Sequence, residues 1–202
     1  DPRAKVPKDA KDDPEFWASA LSQACLGGHC DIVKKLGLNP ALDDLDNLLR
    51  LAAIGQSVEL IEYLVSLGAH PNAKALEGDS VLRMALHAVE WRLSFGRYGS
   101  GSVNHHEAMR VLRRLIELGA RLGADGREEL RFLRQCLKLL SPYECYDLLK
   151  FLHEQRFADS EVMTDLLKEP RMRAHLVPRL PALSRLFPGL KKWVVKLRIN
   201  QA

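Results

Sequence analysis

A chain of 202 residues is long enough for one compact domain or one short repeat array. With 47% hydrophobic residues it can build a core, which excludes disorder over most of its length, and no apolar run approaches the roughly 20 residues that span a bilayer. The net charge of +4 is unevenly spread: residues 1–90 carry 9 Lys/Arg against 14 Asp/Glu, and residues 91–202 carry 21 against 12.

The opening Asp1-Pro2-Arg3-Ala4-Lys5 is not a signal peptide, and a start on Asp rather than Met implies a piece of a longer protein. Residues 1–14 interleave Lys, Asp and Pro and read as a flexible leader; Phe16 and Trp17 mark where packing begins. From residue 20 to 33 an apolar stretch is divided by Gly27-Gly28-His29. Next comes Leu49-Arg50-Leu51-Ala52-Ala53, followed by Val58-Glu59-Leu60-Ile61-Glu62-Tyr63-Leu64-Val65 and the ending Gly68-Ala69-His70-Pro71-Asn72-Ala73. This predicts two short amphipathic helices and a stop. Ala52 and Ala53 let a neighbouring helix approach, and Leu60, Ile61, Leu64 and Val65 form one apolar face. Gly68 suits the left-handed position just past a helix end.

This unit resembles an ankyrin repeat, a turn plus two helices recurring about every 33 residues. Upstream, Ala20-Leu21-Ser22-Gln23-Ala24-Cys25-Leu26, Gly27-Gly28-His29 and Cys30-Asp31-Ile32-Val33 are similar to the family's inner helix, turn and outer-helix start. Downstream, Gly78-Asp79-Ser80-Val81-Leu82-Arg83-Met84-Ala85 occupies the family's G-x-T-P-L-H-x-A stretch, with Ser for Thr, Val for Pro and Arg for His. Leu49 to Leu82 is 33 residues, the family period. The resemblance covers about residues 16–156 and implies an all-α, ankyrin-like solenoid of three to four repeats spanning residues 15–156. The departures are a first connection about five residues short and an 18-residue excess at 88–105 within the third unit.

A third outer helix is predicted over 107–118, ending in Gly119-Ala120. A fourth, worn unit follows as an inner helix at 128–140 and an outer helix at 143–155, with Ser141 as N-cap and Pro142 at the first helical position. Ser160 caps a short helix expected at 161–168, and prolines at 170, 178, 181 and 188 divide the remainder. Residues 157–202 are read as a basic helical cap on the last repeat, because a solenoid end must be covered. From Pro170 to Ala202 there are eight basic residues and no acidic one.

Signatures of catalysis are missing from the sequence: there is no GxxxxGK[ST], HExxH, GxSxG or CxxC. Gly96-Arg97-Tyr98-Gly99-Ser100-Gly101 lacks a preceding strand and a placed Lys, so it reads as a loop rather than a phosphate cradle. His105-His106-Glu107 has no ligand one turn on and reads as the polar start of a helix. Cys25, Cys30, Cys136 and Cys145 sit in apolar helical stretches and read as buried, reduced thiols, which implies a cytoplasmic, reducing compartment. No catalytic, cofactor or metal residue is assigned, and the chain is not expected to be an enzyme.

Three surfaces are candidates for a partner, which is expected to be another protein, with the chain monomeric on its own. The insertion places Trp91, Arg92, Phe95, Arg97 and Tyr98 within eight residues, and Trp, Tyr and Arg are the residues most enriched at binding hot spots. Either these form a loop that meets a partner, or Trp91 and Phe95 extend the inner helix and pack on a neighbour. The resemblance implies contacts through Lys74, Leu76, Glu77 and Asp79 on a turn tip, and through Ile54, Gly55, His87 and Ala88 on the concave inner-helix face. The third surface is the C-terminal segment, where Leu190, Trp193, Val194 and Leu197 share one helical face and Lys191, Lys192, Lys196 and Arg198 lie off it. With Arg185, these bases could contact an anionic partner; nucleic-acid binding through them is the alternative function.

Overall fold

A computed structural model of the protein describes residues 19–74, 80–98, 105–122, 126–157 and 176–191, with Thr164, Met172 and Ala174; at 92–98, 105–108, 128, 177 and 180 it describes the backbone alone. Among these residues the regular structure is helical, apart from one isolated antiparallel bridge between Lys74 and Ser80. The helices are α1 (Ala20–Leu26), α2 (Cys30–Leu36), α3 (Leu45–Ile54), α4 (Val58–Ser66), α5 (Val81–Tyr98), α6 (His105–Glu117), α7 (Arg127–Leu139), α8 (Pro142–Glu154) and α9 (Leu180–Leu186). Single 3-10 turns flank α9 at Val177–Arg179 and Pro188–Leu190. The helices predicted at 107–118, 128–140 and 143–155 are present as α6, α7 and α8, shifted by one or two residues. The helix expected at 161–168 lies outside the described residues, as does the leader.

The helices alternate in their packing. Helix α1 packs on α2, α3 on α4 and α5 on α6, while α1, α3, α5 and α7 contact one another in succession. The residues that allow this are small or apolar at helical spacing. Ala52 and Ala53 of α3 are fully buried, as are Ala85, Leu86 and Val89 of α5 and Cys136 and Leu137 of α7. On the other helices Leu60, Ile61 and Leu64, then Leu112, Leu115 and Ile116, then Cys145 and Leu149 are fully buried. One contiguous core runs from Leu21 to Leu190.

The same stop closes five of the helices. After α1, α3, α4, α6 and α8 the residue past the cap takes a left-handed φ, at Gly28, Gln56, Gly68, Gly119 and Arg156. In each case the next amide reaches back five residues: His29 to Ala24, Ser57 to Ala52, Ala69 to Leu64, Ala120 to Leu115 and Phe157 to Leu152. This is the Schellman arrangement, which satisfies carbonyls that a helix end leaves free. Starts are equally local. The hydroxyl of Ser57 accepts from the Leu60 amide, and Ser141 forms a reciprocal capping box with Glu144 ahead of Pro142.

Neighbouring turns also touch. A Cβ placed on Gly55 would lie 2.6 Å from the Leu26 carbonyl oxygen and 2.7 Å from that of Cys25, so only glycine admits the preceding turn at this distance. Asn72 ties the next pair of turns, its Nδ2 donating to the Gly119 carbonyl at 2.9 Å and its Oδ1 accepting from the Arg121 amide at 2.8 Å. These last two turns are adjacent in space although the inserted residues separate them in sequence.

The insertion is partly helical. Helix α5 runs on through Tyr98, so the backbone from 88 to 98 continues the helix that begins at Val81, and residues 99–104 lie outside the description. The C-terminal segment contacts α8 through its first 3-10 turn and α9. Leu176, Leu183, Phe187 and Leu190 are fully buried there, and the Phe187 ring meets His153 of α8 edge-on at 5.2 Å. No helix among the described residues is long and apolar enough to cross a membrane.

Candidate interaction surface

The outward side of α2, α4, α6 and α8 is cross-linked by polar contacts between successive helices. Lys34 of α2 meets Glu59 of α4 at 2.7 Å, and Glu62 of α4 meets Arg114 of α6 at 2.7 Å. The Arg113 guanidinium of α6 lies 4.8 Å from the centre of the Phe151 ring of α8. Hydrogen bonding to Lys34 lowers the Glu59 pKa, and the same bond raises that of Lys34. Both are exposed, so solvent and salt limit what the pair contributes.

The other helices present a different surface. On α5, His87 is exposed and Trp91, one turn further on, is 55% exposed. The His87 ring meets Phe132 of α7 edge-on at 5.2 Å, and the Arg131 guanidinium lies 5.2 Å from the same ring centre. Arg127, one turn before Arg131, is also exposed. Cationic and aromatic side chains of two helices thus converge around Phe132. Trp91 is not drawn into the core, although its helix packs against α3, α6 and α7. Side chains of Arg92, Phe95, Arg97 and Tyr98 lie outside the described residues.

A buried polar contact joins the start of α5 to α7. Glu129 of α7 and Ser80 are each 6% exposed, and the Ser80 hydroxyl donates to a Glu129 carboxylate oxygen at 2.7 Å. Ser80 also accepts from the Arg83 amide at 3.0 Å, fixing the start of α5. Sequence reasoning placed Ser80 in a signature stretch but missed its partner. The signal was Glu129 lying four residues before the core residue Leu133, on the apolar side of its helix.

Of the turn-tip residues, Lys74 is exposed beside a cavity of about 260 Å³ lined by Pro71, Asn72, Ser80, Leu82, Arg121 and Leu122. Leu76, Glu77 and Asp79 lie outside the described residues. Ile54, Gly55 and Ala88 are half-buried; Gly55 is committed to the turn contact. In the C-terminal segment Arg185 and Lys191 are exposed, while Lys192, Lys196 and Arg198, with Trp193, Val194 and Leu197, lie outside the description. Arg179 stacks 3.9 Å from the centre of the exposed Tyr143 ring, a contact the sequence did not suggest.

All four cysteines are buried and unpaired with one another. Burial pushes the Cys25 and Cys145 thiols up to about 12 and raises that of Cys136 as well. Cys30 is raised by burial and by the adjacent Glu59, so none of the four is poised as a thiolate nucleophile. No group of three His, Cys, Asp or Glu placed to hold a metal occurs among the described residues. No protein-family model matches the chain, and no curated protein matches it in sequence.

Proposed function

We propose that this chain is an ankyrin-like helical solenoid that serves as a protein-interaction module, the targeting or regulatory part of a larger protein. In this reading α1, α3, α5 and α7 are the inner helices, their exposed side is concave, and the partner meets it. The observation that carries the proposal is the exposure of His87 and Trp91, one turn apart on the third of four successively packed helices. A 55% exposed indole on a rigid helix offers a large contact area at little further entropic cost. Affinity capture with the intact parent protein tests this. Trp91→Ala with His87→Ala is expected to abolish recovery of the partner while melting within about 2 °C of the unchanged protein, as surface substitutions do. Equal recovery by the variant and the parent refutes the assignment of this face.

The alternative, nucleic-acid binding through the C-terminal segment, is favoured by the exposure of Arg185 and Lys191 in a stretch with eight basic and no acidic residues. It requires affinity for duplex DNA that falls steeply with salt, with a slope of about −0.9 per neutralised phosphate. No binding at low salt eliminates it.

A further inference from the structure

The cavity of about 260 Å³ between the turn after α4 and the turn after α6 is graded in burial and in chemistry. Leu82, at its innermost side, is 1% exposed, Pro71 and Leu122 are half-buried, and Lys74 and Arg121 are exposed. An apolar floor therefore leads to a cationic mouth. Both polar atoms of the Asn72 amide already have partners, the Gly119 carbonyl and the Arg121 amide. So has the Ser80 hydroxyl, which donates to Glu129 and accepts from the Arg83 amide. Arg121 uses only Nη1 of its guanidinium, which donates to the Ile116 and Ala120 carbonyls at 2.9 and 2.8 Å and holds the group at the end of α6. Its other side-chain N–H groups, and the Lys74 ammonium, make no hydrogen bond or ion pair among the described residues.

We infer that this cavity captures the C-terminal residue of a partner polypeptide, with its α-carboxylate on Lys74 and Arg121 and its apolar side chain against Leu82, Pro71 and Leu122. Two uncommitted cations, beside neutral groups that are already bonded, select an anion. A carboxylate meets a guanidinium through charge-assisted hydrogen bonds. Phosphate alone would leave the apolar floor without a contact. A Glu or Asp side chain entering end-first would carry its charge onto buried Leu82, at a desolvation cost that no cation there offsets. At a chain terminus the carboxylate and the side chain leave the same Cα, so one stays at the mouth while the other reaches the floor. Because Arg121 is held by its two carbonyl partners, its cation is in place before the ligand arrives, which lowers the ordering cost of binding. The site lies on the turns rather than on the face bearing His87 and Trp91, so it stands or falls independently of the function proposed above.

Fluorescence anisotropy at low salt on the full chain tests this with a short Gly/Ser peptide that carries fluorescein at its N-terminus and ends in Leu. Three forms are compared: the free C-terminal acid, its C-terminal amide, and a free acid ending in Ser instead of Leu. The free Leu acid is expected to bind about tenfold more tightly than either of the others. Lys74→Gln removes the advantage of the acid over the amide and leaves the amide unchanged, and Arg121→Gln does the same. Lys35→Gln, at an exposed cation of α2, alters none of the three. Circular dichroism establishes that each variant is folded; if Arg121→Gln unfolds, Lys74→Gln alone decides. Equal affinity for acid and amide, or an equal loss in Lys74→Gln and Lys35→Gln, overturns the inference. So does an amidated peptide with an internal Glu that binds as tightly as the free Leu acid. Inorganic phosphate that displaces the labelled peptide as effectively as the unlabelled peptide does overturns it as well.

Discussion

Replacing Gly55 by Ala isolates the contact between two successive turns. Gly55 has φ −65°, ordinary for any residue, so the substitution introduces no backbone strain of its own. The new Cβ would stand 2.6 Å from Leu26 O, 2.7 Å from Cys25 O and 2.8 Å from Gly28 N. All three are main-chain atoms held by helix α1 and its Schellman stop, so no side chain can swing aside. The turns must separate by several tenths of an ångström, loosening the α1–α3 packing built on Ala24, Cys25, Leu49 and Ala52. Forced overpacking costs about 1–3 kcal/mol, and backbone on both sides puts this site toward the upper end. For a chain of this size the loss corresponds to a fall in Tm of roughly 5–10 °C. Urea denaturation measures the loss directly. A cost below about 0.5 kcal/mol, the level of an ordinary surface substitution, would mean that the two turns are not in contact and that the stacking described above is wrong.

Further outcomes follow from other contacts. Asn72→Ala removes both bonds to the turn at Gly119 and Arg121, and about 1–2 kcal/mol of stability is expected to go with them. Faster hydrogen exchange at the Arg121 amide reports the same loss locally, and unchanged protection there contradicts the bridge. Ser80→Ala strips a buried carboxylate of its hydroxyl donor and should cost about 2–3 kcal/mol, with part recovered by adding Glu129→Gln, whose neutral amide is cheaper to bury. A loss below about 0.5 kcal/mol would show that Glu129 is solvated. The buried thiols make stability sensitive to alkali. Because the folded-state values of Cys25 and Cys145 are raised from 9.0 to about 12, their contribution is full below pH 9 and is lost as pH rises toward 12. Tm measured from pH 8 to 11 should therefore fall less steeply in Cys25→Ala with Cys145→Ala than in the parent. Equal slopes would mean the thiols ionise freely.

Much of the helical pattern was legible because its determinants act within a few residues. Ser141-Pro142 announced the start of α8, Gly68 marked the end of α4, and the spacing of Leu60, Ile61 and Leu64 gave the buried side of that helix. Gln56 and Arg156 take the same left-handed stop without glycine, so their sequence carries no such mark. The length of α5 was left open. Gly96-Arg97-Tyr98 read as part of a glycine-rich loop, yet the helix continues to Tyr98. A helix already four turns long extends at the cost of one dihedral pair per residue, and one interior glycine adds only about 1 kcal/mol.

The sequence by itself determined where short amphipathic helices begin and stop, because caps, turns and apolar periodicity are satisfied by near neighbours. Only the tertiary structure decided that Glu129 is buried against Ser80, that Asn72 clasps the turn beyond the insertion, and that the His87 ring meets Phe132 edge-on. Each of those facts depends on how residues about 40 to 50 positions apart are brought together. That placement is set by the summed packing of every intervening helix, which no local pattern encodes.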